Sequence, residues 1–241
     1  MENRAIVIAF DVWGTLLRLE PMWGFIAEGL AETTNKPISA TRTAIEHVRS
    51  RVKRKAGLID IDHVELSTQL LAEELGASIE AVKKGVARGI IHALGHVEEL
   101  VYEDAVIGIE AAQELAERTA IVGNALLWPS SYTRLLLEKA GLSRLIDAQV
   151  YGDEVGAYKP SPKIWLMMMR ALGYREDDKP VCIHVGDSLR EDIAGALATG
   201  CMAIYLQRRR SKGAEVHREL GVAVTNTLSE LRPLVEKLLE K

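Results

Sequence analysis

The sequence predicts an α/β fold in which a parallel sheet is wrapped by helices and an all-helical segment is inserted into it. Three observations carry this. Short apolar runs rich in β-branched residues alternate with helical patterns, and each run ends in a turn-forming or polar cluster. More than a hundred residues separate the first run from the second, whereas a βα connection takes one helix. The intervening stretch lacks strand runs and shows helical periodicity, as in Leu66, Leu70, Leu71 and Leu75, then Val82, Val86, Ile90 and Leu94.

Element by element, the apolar runs place strands at 5–10, 119–123, 147–151, 181–186 and 201–206, with a weaker one near 222–225. The insert then occupies about 18–98, read as a helical cap attached through chain segments near 16–20 and 97–103, and the core comprises 1–17 and 99–241. Attachment through two strands of chain suits hinge motion. Ser161-Pro162 reads as the N-cap and first residue of a helix, and Ile164 to Met169, including Trp165, as its core face.

Composition narrows the function classes. At 241 residues, 48% hydrophobic and 27% charged, the chain has material for one large domain or a domain carrying an insert. Thirty basic against thirty-four acidic side chains leave a net charge of −4, so no overall basic field exists to hold nucleic acid or an anionic membrane. Cys182 and Cys201 sit in apolar runs and are expected as buried thiols in a reducing, cytoplasmic setting. No membrane-length apolar segment and no signal-like pattern appears. Oligomeric state and the particular metabolite bound are left open.

In an open α/β sheet, ligands bind beyond the carboxyl ends of the strands. The residues at those ends are Asp11-Val12-Trp13-Gly14-Thr15 after the first strand, Gly123-Asn124 after the second, Lys159-Pro160 after the third, and Gly186-Asp187-Ser188 with Asp192 after the fourth. If those strands are parallel, carboxylates, an ammonium, a hydroxyl and an amide converge. Neighbouring carboxylates raise each other's pKa unless a cation lies between them. Hard oxygen ligands suit Mg²⁺. Lys159 and Thr15 then offer a charge and a donor to an anionic group, and Asp11 can act as a nucleophile that splits phosphoryl transfer into two steps.

The set FDVWGTLL, IVGN, KPSP and VGDSLREDIAGALATG resembles the haloacid dehalogenase superfamily in order and spacing, across a core of about 160 residues. The resemblance implies a Rossmann-like core with an inserted cap. It implies Asp11 as nucleophile, with Mg²⁺ held by its carboxylate, by the backbone carbonyl of Trp13 and by Asp187. Asp192 would hold a metal-bound water or orient the ligands. Thr15, Gly123 through its N–H, Asn124 and Lys159 would hold the phosphoryl group of a small phosphorylated substrate.

Two positions depart from the pattern. Phosphatases of this family place a second Asp two residues after the nucleophile as the leaving-group acid, and Trp13 stands there. Either the enzyme works without that acid, slowly on alkyl phosphates and better on leaving groups that need no proton, or a cap residue such as His92 or His96, or the substrate itself, supplies it. Gly123 replaces a Ser or Thr phosphate donor, which weakens that cradle. The first reading is a Mg²⁺-dependent phosphohydrolase. A phosphate-binding regulatory protein with little turnover, and a metal-independent 2-haloacid dehalogenase suggested by Trp13, are the alternatives, the paired Asp187 and Asp192 counting against the last. Bland readings cover the rest: Trp13 serves as core or as a substrate wall, His184 as a core imidazole, and Arg208 to Arg210 have no assigned chemistry. The basic run Arg49, Arg51, Lys53, Arg54, Lys55 reads mainly as a solvated face, with the drawing in of anionic substrates as the minor reading.

Overall fold

The computed structural model describes residues 4–55, 61–175 and 177–240. Residues 1–3 of the expected core and 56–60 of the expected cap, like the Lys55 side chain, lie outside this description. Among the described residues, seven strands form one sheet: β1 (Ile6–Phe10), β2 (Arg118–Gly123), β3 (Ala148–Tyr151), β4 (Val181–Gly186), β5 (Met202–Leu206), β6 (Glu215–His217) and β7 (Val222–Thr225). Their order is β3-β2-β1-β4-β5-β7-β6. Every pairing is parallel except β6 with β7. The expected strands are present within a residue of their expected ends. β6 was not expected, since three residues with charged or polar ends and no apolar alternation carry no strand signal.

β1 lies between β2 and β4, with Ile8 opposite Thr119 and Ile183. It is buried on both faces, which is why it reads as an unbroken apolar run. The chain winds outward from β1 through β2 to β3, then returns to place β4 on the other side of β1. Strand order therefore reverses between β1 and β4, and the crevice beyond their carboxyl ends is the place where such a sheet binds ligands.

One apolar cluster, containing Ile8, Phe10, Ile121 and Ile183, covers one face of the sheet; a second, containing Val7, Ala9, Val122 and Trp165, covers the other. The helix Pro162–Ala171 buries Ile164, Trp165 and Met168 in the second cluster, as its spacing predicts. Pro162 starts that helix, but the Ser161 side chain makes no capping bond.

Between β1 and β2 lie α1 (Leu19–Thr34), α2 (Ile38–Lys55), α3 (His63–Leu75) and α4 (Ile79–Gly95). Asp62 caps α3 by accepting from the N–H groups of Val64 and Glu65, and Ser78 caps α4 by accepting from Ala81 N–H. α1 and α4 approach backbone to backbone through glycines: a Cβ on Gly29 would lie 2.2 Å from Gly85 O, and one on Gly89 2.6 Å from Phe25 O. Met22, Ile26, Leu30, Val48, Leu71 and Val86 of this insert join the same apolar cluster as Ile8 and Phe10. The two chain crossings into the insert run side by side, Arg18 N–H donating to Leu100 O at 2.6 Å and Tyr102 N–H to Leu16 O at 3.1 Å. Among the described residues, no helix is long and apolar enough to cross a membrane.

Candidate active site

The loop leaving β1 is built first. Asp11 N–H donates to Val185 O at 2.9 Å, carrying the β1–β4 ladder one residue beyond the strand. The chain then turns tightly, with Leu16 and Leu17 N–H both donating to Val12 O. Gly14 makes this turn at φ +90°, and a Cβ there would stand 2.2 Å from Asp187 Oδ2. Only glycine lets the β1 and β4 loops meet this closely.

Lys159 organises the carboxylates. Its ammonium, 1% exposed, donates to Asp11 Oδ1 at 2.7 Å and to Asp192 Oδ1 at 2.6 Å. Asn124 fixes the backbone that carries it: Lys159 N–H donates to Asn124 Oδ1 at 2.8 Å, and Asn124 Nδ2 donates to Lys159 O and to Glu191 Oε2, each at 3.0 Å. Asp192 stands in a wide π-type turn, Leu189–Ala194, a form common at functional sites. Besides Lys159, it accepts from Ser188 N–H at 2.9 Å and from His184 Nε2 at 3.0 Å. An ionised carboxylate can only accept, so His184 carries its proton on Nε2.

These contacts separate the three aspartates. Burial opposes the Asp192 charge, yet Lys159 and the His184 hydrogen bond together hold its carboxyl far below the usual range. Burial pushes Asp11 the other way, up to about 7 against the pull of Lys159, with Asp192 and Asp187 adding to the rise. Asp187, at the solvent-exposed rim, is raised to about 6 by desolvation and by Asp192, with Lys159 and Lys53 opposing. Burial likewise opposes the Lys159 charge, but Asp11 and Asp192 outweigh it and hold the ammonium firmly protonated. Oxygens of Asp11, Asp187 and Asp192 lie within 4.8 Å of one another. One lysine does not balance three carboxylates. Hard oxygens at this spacing fit a divalent cation, which would restore the charge of Asp11 and Asp187.

Thr15 Oγ1 donates to Asp11 Oδ2 at 3.4 Å, a long bond. The Thr15 backbone is held by a residue to which the sequence assigned no chemistry. Arg208 donates to Thr15 O at 2.6 Å and grips Asp104 at 2.6 and 2.8 Å, its guanidinium lying 3.9 Å from the centre of the Tyr102 ring. Nothing local marks it, because its partners are about one hundred and two hundred residues away in the chain.

Above the carboxylates lies a cavity between sheet and insert. Its walls include Asp11, Trp13, Asn124, Asp187 and Asp192 from the expected set. The wall also includes Ser188 and Glu191 of the fourth motif, Arg49 and Lys53 of the basic run, and Trp23, Trp128 and His63, which the sequence did not mark. Trp13 packs edge-on to Trp128 at 5.2 Å and Trp128 against Trp23 at 5.3 Å, so Trp13 serves both as packing and as wall. Of the histidines, His63 lines the cavity. His92 instead faces Glu28 and Glu32 across the α1–α4 contact, and His96 stacks on Phe25. The expectation of a role for those two does not fit their surroundings, because periodicity cannot say which face of α4 meets the sheet.

Gly123 also finds its reason. It stands opposite Tyr151 on β3, and a Cβ would lie 2.7 Å from the Tyr151 ring. The aromatic ring takes the space a Ser or Thr side chain would need. His184 meets the core expectation in part: Nε2 is bonded to Asp192, but the buried Nδ1 has no partner.

A family model described as haloacid dehalogenase-like hydrolase matches residues 7–200. Among curated proteins, the chain is 25% identical over 146 residues to a glyceraldehyde 3-phosphate phosphatase of Methanopyrus kandleri, covering 61% of this chain and 60% of that relative. The chain thus spans less than two thirds of that relative's length. It is 28% identical over 195 residues to a ribulose-1,5-bisphosphate 5-phosphatase of Halopiger xanaduensis, covering 78% of this chain and 79% of that one. Among solved structures, a HAD phosphatase from Thermococcus onnurineus superimposes with a TM-score of 0.64 at 25% identity, covering 95% of this chain and 97% of that one.

Proposed function

We propose, from the premise that this chain belongs to the haloacid dehalogenase-like hydrolases, that it is a Mg²⁺-dependent phosphomonoesterase acting on a small phosphorylated metabolite, with 18–98 as its cap. The observation that carries the reading is the Lys159 ammonium bridging Asp11 and Asp192, with Asp187 at the rim. The names of its phosphatase relatives support it.

Asp11 is the nucleophile: its oxygen bonds to phosphorus, the ester oxygen leaves, and water then attacks the aspartyl-phosphate to free phosphate and Asp11. Mg²⁺, held by Asp11, Asp187 and the Trp13 carbonyl, would neutralise the carboxylates and polarise the phosphoryl oxygens. Both Asp192 oxygens are occupied by Lys159, His184 and Ser188, so Asp192 orients Lys159 and the metal's surroundings. Thr15 and Lys159 hold the phosphoryl group. Asn124, whose amide is spent on Lys159 and Glu191, contributes by placing Lys159. Gly123 offers its N–H alone. A cytoplasmic setting is consistent with the free, buried Cys182 and Cys201.

Trp13 cannot protonate a leaving group, and general acid catalysis is worth about 10²–10⁴ in rate. Turnover should therefore rise steeply as leaving-group pKa falls, aryl phosphates outrunning alkyl ones; equal rates would show that another acid acts. The deciding experiment is phosphate release from a panel of esters with and without Mg²⁺, beside Asp11→Asn. Release that needs Mg²⁺ and drops about 10³-fold or more in the variant is expected. No release above that variant on any ester overturns the proposal. Tight phosphate-ester binding without turnover would favour the regulatory alternative, which Trp13 and Gly123 motivate. Chelator-insensitive halide release from 2-haloacids would favour the dehalogenase.

A further inference from the structure

The basic run on α2 does not behave as one solvated face. Arg49 and Lys53 are four residues apart and so share a side of the helix, and both line the cavity over the carboxylates. Arg51, Lys53 and Arg54 are exposed, Arg54 bonding to Ser50 on its own helix, while Arg49 is half-buried. Among the described residues, neither Arg49 nor Lys53 stands within ion-pair distance of a carboxylate, and Lys53 acts on Asp187 only from farther off. Arg49 lies 5.3 Å from the Trp23 ring, and its buried Nε has no hydrogen-bond partner.

A second side chain on the same cavity is buried and unsatisfied. His63, the first residue of α3, is 1% exposed, stacks on Tyr158 at 3.7 Å, and leaves both ring nitrogens without a partner. Buried polar atoms are nearly always bonded, and each exception leaves a desolvation cost uncompensated. The three groups are donors or potential donors with unspent capacity, and all face one space. They belong to helices of the insert, whereas Asp11, Asp187 and Asp192 belong to the sheet loops, so the two sets enter the cavity from different elements.

We propose that Arg49, Lys53 and His63 form a subsite for a second anionic group, so that the substrate is a phosphate ester carrying another carboxylate or phosphate at its far end. This rests on the phosphomonoesterase reading for the role of the near phosphoryl group. Arg49 and Lys53 supply charge, and His63 supplies a ring N–H to an oxygen of the same group. The Trp23 and Trp128 faces cover the carbon skeleton between the two anionic ends. The buried Arg49 Nε and the His63 ring, left without acceptors, are completed by such a ligand, with Lys53 adding charge beside them.

The test measures binding by calorimetry on Asp11→Asn protein with Mg²⁺, so that turnover does not interfere. Matched pairs are compared: 3-phosphoglycerate with glycerol 3-phosphate for a carboxylate, and fructose 1,6-bisphosphate with fructose 6-phosphate for a second phosphate. At least one doubly anionic member should bind about tenfold or more tightly than its partner, and which pair shows it identifies the group. Adding Arg49→Gln and Lys53→Gln should collapse that ratio toward one. His63→Phe, which keeps a ring for Tyr158 to stack on, should lower it by a smaller factor. A ratio near one without these changes overturns the inference. So does an equal loss for both members of a pair in the Arg49/Lys53 variant, which would mean that the cations only balance the charge of Asp187. Because binding is read separately from phosphate release by the unsubstituted protein, failure of the subsite and failure of the phosphomonoesterase reading give different results.

Discussion

The two sides of the cavity handle charge in opposite ways. On the sheet side, Lys159 is committed to Asp11 and Asp192, His184 and Ser188 N–H complete Asp192, and Asn124 locks the Lys159 backbone. On the insert side, neither Arg49 nor Lys53 is within ion-pair distance of a carboxylate among the described residues, and the His63 ring has no hydrogen-bond partner. The backbones differ as well. The site loops hang on a parallel ladder buried on both faces, while the insert is held by helix contacts as close as Gly29 against Gly85. Groups that must stand at a fixed distance from a reacting atom are tied down before any ligand arrives. On the proposed reading, groups that only recognise a ligand wait for it.

That contrast makes its largest prediction at Lys159. Replacing it by Met leaves Asp11 and Asp192 buried without their counter-charge, and should cost about 3–5 kcal/mol by denaturant unfolding. A loss under 1 kcal/mol would mean that the sheet side is less committed than its geometry indicates. Next comes the insert. Gly89→Ala forces α1 away from α4 and should cost about 1–3 kcal/mol, while Mg²⁺ affinity, read by calorimetry, stays within twofold. A large fall in Mg²⁺ affinity would break the separation between the two sides.

A smaller effect is expected at Glu154, a pair of ordinary type on the core surface. Arg134 donates two hydrogen bonds to it, at 2.8 and 2.9 Å, and these hold its carboxyl below the usual range. A depressed folded pKa stabilises above the unfolded value of about 4.3 and loses that contribution as pH falls through the folded one. Glu154→Gln should thus destabilise at neutral pH by under about 1 kcal/mol, and the difference should vanish well below pH 4. Equal destabilisation at both pH values would locate the effect in packing. The smallest change is expected for Lys53→Gln, within about 0.5 kcal/mol, since Lys53 is exposed and no carboxylate lies within ion-pair distance of it. A larger loss would reveal that the insert's cations already stabilise the fold.

Much of the sheet side was legible in the chain itself. Asp11, Lys159, Asp187 and Asp192 each follow a recognisable strand by a short, motif-bearing segment, so their convergence needed only parallel strands to be true. Trp13 and Gly123 were visible as departures, but their physical reasons were not, because Trp128 and Tyr151 come from elsewhere in the chain. The insert was legible as helices and not as a surface. Its 3.6-residue period located α3 and α4 but did not show that His63, and neither His92 nor His96, would face the carboxylates.

Apolar period and strand-end polarity are local properties, and by themselves they determined the α/β core, the position of the helical insert and the aspartates and lysine of the site. The pairing of Lys159 with two carboxylates, the grip of Arg208 on the Thr15 carbonyl and the unsatisfied donors of α2 and α3 were decided only by tertiary structure. Hydrogen bonds and ion pairs act over a few ångströms, and residues far apart in sequence come within that range only after the chain has packed.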